Sequence, residues 1–387
     1  MQTIEQEIRS RGVDDDHVIY LDLDRYGFRS VETPDQLEAL IEPALSIPGL
    51  KYLFIDEVQN VKGFEDVVNE FRSEGGFSIF ITGSNSYLLS GELSTKLTGR
   101  YVEFEMQTLN FREYCDMKRF LGQDVDANPA AELDSYILSG GFPKALDYPK
   151  MADKRTYVSS VIKEIFEKDI RRRVRIKNVS LFNLVRDYVI NNFGSTTSLS
   201  NMLADLKAKQ GVTIKRETLN RYLQILEDAK IISKCSRFDM KSRKSLQGEQ
   251  KYYLADLSFY FALNTDNRIN YGPVLENIVY CYARSKGYKV SIGRIGALEC
   301  DFILRNQGLG YAYVQVCMTI MNDRSTEDRE YRPLESIRDN YPKFVLTRND
   351  PIQHRSGIIH ENITDLIGQN RSFTDPLLDD DSDDGSI

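Results

Sequence analysis

The sequence is 387 residues long, enough for two to four domains at roughly 100–200 residues each. Its 41% apolar and 28% charged residues are those of an ordinary globular chain, and no apolar run reaches the roughly 18 residues that a membrane span needs. The net charge of −8 is uneven: residues 151–250 hold 21 Lys and Arg against 11 Asp and Glu, so the remainder carries about −18. A basic middle in an acidic chain points to a local polyanion site, with a solvated helical surface as the plain alternative. The polar N-terminus, MQTIEQEIRSRGVDDD, has no apolar signal core, which predicts a cytoplasmic protein. Five cysteines without C-x-x-C spacing and three scattered histidines argue against disulfides, a zinc site or a His-based triad.

In chain order, residues 2–11 read as helix turns and HVIYLDLD (17–24) as a strand, by its apolar alternation. Residues 34–47 read as helix. KYLFIDE (51–57) and FSIFITG (77–83) are short apolar runs bounded by turn signals, the pattern of strands buried on both faces of a parallel sheet. YVEFEM (101–106) alternates like a further strand. Residues 110–192 are mostly helical, broken by SGGFPKA (139–145). Residues 196–256 read as helices followed by a β-hairpin, and 273–347 return to mixed α/β. DPLLDDDSDDGSI (375–387) is an acidic tail with little to bury, expected to be disordered.

YLFIDEVQN (52–60) is a buried strand that ends in two carboxylates. A Walker B strand has this form, because strand C-termini in a parallel sheet open onto the ligand crevice. Asp56 would hold Mg²⁺ through water and Glu57 would orient the attacking water. The plain alternative is an acidic strand end meeting a turn. In FITGSN, Thr82, Ser84 and Asn85 stand at the end of the next buried strand. Asn85 there would act as sensor 1, with Thr82 and Ser84 beside Asp56 on the nucleotide side; an ordinary turn is the alternative. Arg100, just before YVEFEM, has the place of an arginine finger or of a structural cation.

YLFIDEVQNVKGFEDVVN, FITGSNSYLLSGELSTKLTGRYVEFEMQTLNFREY and ILSGGFPKAL together resemble the prokaryotic AAA-type ATPases that carry the C-terminal domain of unknown function 4143. The resemblance runs over nearly the whole chain up to the acidic tail. It implies ATP and Mg²⁺ as cofactors. It also implies a strand, a P-loop and a helix ahead of GVDDDHVIYLDLD. No Gly-Lys-Ser or Gly-Lys-Thr precedes Tyr52, so the expectation is a chain that lacks the Walker A segment of a family member. In the AAA strand order 5-1-4-3-2, FSIFITG and YVEFEM would then lose the strand between them, and nucleotide affinity would be very weak.

In the basic middle, SLSNMLADLKAKQGVTIKRETLNRYLQILEDAKII followed by SKCSRFDMKSRKSLQGEQKYYLAD fits a winged helix-turn-helix. Leu199, Leu203 and Leu206 share one face of the first helix. Leu219, Leu223 and Leu226 point inward from the second. Lys215, Arg216, Thr218 and Arg221 would face outward near its N-terminal half, the part of a recognition helix that reaches base edges. Lys241, Arg243 and Lys244 would lie at the wing tip for phosphate contacts. RRRVRIK (171–177) reads as a phosphate contact or a charged linker.

LENIVYCYARSKGY, ALECDFILRN and YAYVQVCMTI have the helix, strand, strand order of PD-(D/E)-x-K nuclease folds. Glu276, Asp301 and the pair Gln315–Cys317 take the active-site positions, with Glu299 beside them. That chemistry needs carboxylates for a metal and a lysine to stabilise the attacking hydroxide. An amide and a thiol at 315 and 317 predict a degenerate site without nuclease activity.

The sequence thus predicts an α/β chain. Residues 1–108 form a partial AAA domain, 109–195 a helical lid or linker, 196–256 a winged helix, 257–368 a nuclease-like domain, and 369–387 an acidic tail. The expected function is that of an incomplete AAA-type ATPase associated with duplex DNA, hydrolysing ATP only with a P-loop. The alternative is a non-enzymatic DNA- or protein-binding module. No membrane partner is expected, and both a homo-oligomer and the action of Arg100 within or between subunits stay open.

Overall fold

The computed structural model describes residues 1–83, 99–170, 176–239, 244–264, 270–295, 298–306, 308 and 310–373. The expected acidic tail lies outside them from residue 374. The chain divides into two units, Met1–Glu105 and Met106–Ile387. Among the described residues no helix is long and apolar enough to cross a membrane.

The first unit runs α1 (Gln2–Ser10), β1 (Val18–Asp22), α2 (Pro34–Ile41), β2 (Lys51–Asp56), α3 (Phe64–Glu74) and β3 (Phe77–Ile81). The three strands pair in parallel in the order β1-β2-β3. Each element begins where the sequence favours it. Thr33 and Gln36 form a reciprocal capping box at the start of α2, with Pro34 at the first turn, where its missing N–H is not needed. Leu37 and Ile41 of α2 pack with Leu53 and Ile55 of β2 and with Phe64, Val67 and Phe71 of α3. β2, the middle strand, is the most deeply buried, as its unbroken apolar run requires.

The strand expected over 101–106 does not form. Val102, Phe104 and Met106 are 78%, 83% and 86% exposed. Apolar alternation gives a segment one greasy face, but a strand also needs a partner ladder for its backbone groups. Among the described residues β3 has β2 on one side and no strand on the other.

The second unit opens with α4 (Phe111–Phe120), α5 (Pro129–Ser139) and α6 (Met151–Glu164), followed by α7 (Val179–Asn191), α8 (Leu199–Gln210) and α9 (Arg216–Asp228). A hairpin of β4 (Ile232–Asp239) and β5 (Lys244–Leu254) leads into α10 (Ser258–Leu263), α11 (Tyr271–Ser285), β6 (Lys289–Ile295), β7 (Leu298–Asn306) and β8 (Gly310–Cys317). The unit ends with α12 (Arg324–Glu335), β9 (Lys343–Thr347), β10 (His354–Arg355), β11 (Ile358–Asn362) and α13 (Ile363–Gly368). All eight strands belong to one mixed sheet, ordered β10-β11-β9-β8-β7-β6-β4-β5. The hairpin after α9 therefore continues, through parallel pairing of β4 with β6, into the sheet of the C-terminal segment. Leu275 and Ile278 of α11 share a core with Phe302 and Val314 of the sheet, while Tyr331 and Leu334 of α12 share another with Ile303, Tyr313 and Val345.

Candidate functional site

At the end of β2, Asp56 is the last strand residue and stands opposite Asp22 of β1. The Thr82 hydroxyl donates to its Oδ1, and Tyr20 Oη donates to its Oδ2 at 3.1 Å. Burial and the Asp56 carboxylate push the Tyr20 phenol up to about 12. Tyr20 is a residue that the sequence reading missed. It pairs with Phe54, two positions before Asp56, and a tyrosine is long enough to reach across that diagonal. Glu57 follows in left-handed backbone, φ 56 and ψ 44, which turns the chain sharply out of the sheet. Its amide donates to Thr82 Oγ1 at 3.3 Å, and its carboxylate accepts from the Gln59 amide. A carboxylate has about four acceptor sites, so among the described residues these two bonds leave Asp56 lone pairs to spare. That fits an ion held through water. Arg100 is exposed, and its guanidinium lies 3.4 Å from Asn69 of α3. Ser84 and Asn85 lie outside the described residues.

The helix pair α8–α9 and the β4–β5 hairpin follow each other directly. Ser198 caps α8, and Gly211, in left-handed backbone, ends it. Thr197, just before α8, pairs antiparallel with Gln250 of β5 and so ties the helix pair to the hairpin. Leu219, Leu223 and Leu226 of α9 are buried. On α8 the buried positions are Met202 and Leu206, with Leu199 and Leu203 at the margin of the core. Lys215, Arg216 and Arg221 are exposed and Thr218 is half-buried. Arg216 Nη1 donates to Ser200 Oγ at 3.1 Å. Lys241 and Arg243 lie outside the described residues, and Lys244 begins β5, paired in the ladder with Asp239 of β4. Of the RRRVRIK stretch only Ile176 and Lys177 are described, and Lys177 is exposed.

The structure brings Glu276, Glu299, Asp301 and Gln315 together around a residue that the sequence reading left out. Lys251 of β5 is buried, and its ammonium lies 2.8 Å from Glu276 Oε2, 3.7 Å from Glu299 Oε1 and 3.9 Å from Asp301 Oδ1. Tyr253 Oη also donates to Glu276, at 2.7 Å. Arg237 of β4 donates to Glu299 at 2.8 Å and pairs with Glu249. The ladder between β7 and β8 stops at Phe302–Val314, and Asp301 Oδ2 accepts the Val316 N–H at 2.8 Å. Gln315 accepts from the Asp301 amide at 3.3 Å and donates to Glu330 of α12 at 2.9 Å. Register slips mark the spot on both sides, between Ser291 and Gly293 on β6 and between Ser236 and Arg237 on β4. Such bulges re-aim side chains. Burial works against the Lys251 ammonium, but Glu276, Asp301 and Glu299 outweigh it and hold its pKa above the usual range. Burial and then Glu276 drive Asp301 well above an ordinary carboxyl. Cys317 is buried in an apolar cluster, and burial first, then Glu330, raises its thiol pKa. No signal local to Gln315–Cys317 announces Lys251, which lies more than 60 residues earlier in the chain.

Residues 1–115 match a family model described as AAA domain, and residues 130–269 match a domain of unknown function, DUF8612. An uncharacterized protein of Haemophilus influenzae is 30% identical over 345 residues, 88% of this chain and 83% of that protein. The uncharacterized protein MJ1544 of Methanocaldococcus jannaschii is 30% identical over 330 residues, 82% of this chain and 73% of that protein. A solved structure, the Walker-type ATPase PABY2304 of Pyrococcus abyssi, overlaps loosely, with 16% identity, a TM-score of 0.39, and coverage of 67% of this chain and 74% of that one. The chain belongs to one family with these two uncharacterized proteins, and its first 115 residues match an AAA domain.

Proposed function

We propose that the chain is an AAA-type ATPase-family protein that associates with DNA. Asp56, Glu57 and Thr82 serve the Mg²⁺-and-water side of ATP hydrolysis, and α8, α9 and the β4–β5 hairpin act as a winged helix on duplex DNA. Bound Mg²⁺-ATP would supply the phosphoryl group and the charge that the metal neutralises. Within the chain, Asp56 would orient water on the ion, Thr82 and Tyr20 would hold Asp56, and Glu57 would orient the attacking water.

The observation that supports the DNA reading is the order of parts. A helix pair is followed at once by a hairpin, closed by the Thr197–Gln250 bridge, with Lys215, Arg216 and Arg221 exposed on the second helix. In a helix-turn-helix the N-terminal end of that helix enters the major groove. One observation favours a second reading, a module for protein contacts: β4 also pairs with β6, so the hairpin has a packing task of its own.

Titration of a labelled duplex at several salt concentrations separates the two. DNA affinity is expected to fall with salt by about 0.9 logarithmic unit per phosphate contact. Changing Lys241, Arg243 and Lys244 to Ala should weaken binding to all sequences alike and reduce that slope by up to about three contacts. Binding that ignores the triple change, or no binding at low salt, would exclude this DNA surface.

A further inference from the structure

We propose that the acidic residues 374–387 of this chain dock on the basic face of α8 and α9 and hold it closed to nucleic acid. Between Lys207 and Arg221 stand five cations, Lys207, Lys209, Lys215, Arg216 and Arg221, and one acid, Glu217. All five cations are exposed. Lys209 is taken up by Asp205 at 3.0 Å, and Arg216 donates to the neutral Ser200 hydroxyl. Among the described residues Lys207, Lys215 and Arg221 meet no carboxylate within ion-pair distance. A helix face with surplus positive charge and no fixed counter-charge suits an anionic occupant.

The same chain carries one. TDPLLDDDSDDGSI (374–387) holds six aspartates and no Lys or Arg. Five of them fall within the six residues from Asp379 to Asp384. In an extended chain successive residues are about 3.3 Å apart, close to the roughly 3.4 Å per strand at which phosphates follow one another along a duplex. The run therefore approaches the linear charge of one nucleic-acid strand, which is what the basic face would otherwise meet.

The fold puts the two within reach. Phe373, directly before the acidic stretch, is buried, with its ring 6.0 Å from Tyr282 of α11, 5.6 Å from Tyr288 and 5.8 Å from Phe344 of β9. It shares one apolar core with Leu219, Leu223 and Leu226 of α9. In the sheet β9 and β4 are four strand spacings apart, about 19 Å at roughly 4.8 Å each, and α9 leads directly into β4. Arg221 stands seven residues before the end of α9, about 10 Å along the helix. The path from Phe373 to Arg221 is thus on the order of 30 Å. Asp379 and Asp384 come six and eleven residues after Phe373, and extended chain of that length spans about 20–40 Å.

Tethering makes a weak contact count. A ligand on a short tether acts at an effective concentration of about 1 mM. A segment that binds this face at about 0.1 mM as a free peptide would then fill it roughly 10:1 and weaken nucleic-acid binding about 10-fold. That consequence rests on the DNA-binding reading above, whereas the docking itself does not.

The test compares the full chain with a full-length variant in which Asp375, Asp379, Asp380, Asp381, Asp383 and Asp384 are all changed to Asn, so that no described residue is altered. Acetylation by a small amine reagent, read residue by residue by mass spectrometry, reports the docking. At low salt Lys207 and Lys215 are expected to react several-fold faster in the variant. The difference should vanish near 1 M salt, where the Debye length is about 3 Å. Titration of a labelled duplex reports the closure, and the variant should bind about 10-fold tighter at low salt. Equal labelling of the two proteins overturns the docking. Protection that persists in the variant and grows with protein concentration also overturns it, and puts a second copy on the face. Tighter duplex binding with no change at the lysines overturns it in favour of long-range repulsion. Changed labelling with equal duplex affinity overturns the closure. If neither protein binds duplex, the DNA reading fails and the closure with it, and the labelling alone upholds or overturns the docking.

Discussion

Gly140 and Gly141 show what a single missing Cβ does. A Cβ on Gly141 would lie 2.1 Å from the Leu109 carbonyl oxygen, and one on Gly140 would lie 2.0 Å from Asp256 Oδ1. Two close approaches meet here. Leu109 N–H donates to the Gly141 carbonyl at 2.8 Å, and the Gly141 amide donates to the buried Asp256 carboxylate at 2.8 Å. Asp256 also accepts from the Ser258 amide at 2.8 Å, which fixes the start of α10. Gly141→Ala must push the two backbones apart and loosen a buried carboxylate from its donors. The expected loss is about 2–4 kcal/mol, read as a lower urea midpoint for the full chain. An unchanged midpoint would mean that the loop yields without cost. SGGFPKA is legible in sequence as a break between helices, because glycine and proline punctuate a helical pattern. What the glycines make room for is not legible, since Leu109 and Asp256 come from either side, Asp256 more than 100 residues away. Lys251 was missed for the same reason.

Whole elements were legible where one periodicity decided them. The strands at 18–22, 51–56 and 77–81 lie where apolar runs put them, and α9 buries the leucines that its spacing selects. YVEFEM failed because alternation reports a face and not a partner. Titration at α9 offers an element-scale test. Burial raises Glu227 to about 7 from its ordinary 4.5, against the pull of Lys234 and with a push from Asp228. The folded state therefore holds this proton more tightly than the unfolded chain. Its contribution is most favourable below the unfolded pKa and is lost as pH rises toward 7, after which it is constant. Glu227→Gln removes the penalty. At pH 8 the variant is expected to be more stable by roughly 1–2 kcal/mol, a figure reduced for the partial exposure of the group, and near parity is expected at pH 4.5. Urea unfolding of both proteins at the two pH values measures the difference. A gap that is equal at both would remove Glu227 from the account.

At the scale of the molecule, catalysis of ATP hydrolysis asks for two things that the first unit provides unequally. The end of β2 presents Asp56, held by Thr82 and Tyr20, with Glu57 turned out of the sheet beside it. In the function proposed these groups would hold an ion through water, but as anions they would repel a polyphosphate. In this fold the phosphates are gripped by backbone amides and a lysine of G-x-x-x-x-G-K-[ST], a motif that occurs nowhere in the 387 residues. The chain alone is therefore expected to bind Mg²⁺-ATP no tighter than millimolar and to show no turnover, by fluorescent-nucleotide titration and phosphate release. Asp56→Ala should change neither. A fusion that adds a strand and a G-x-x-x-x-G-K-[ST] loop to the first unit should confer binding and turnover, and Glu57→Gln in that fusion should keep the nucleotide and lose its hydrolysis. Micromolar binding by the chain alone, lost in Asp56→Ala, would sink this view, because the grip would then have to come from amides elsewhere in the unit.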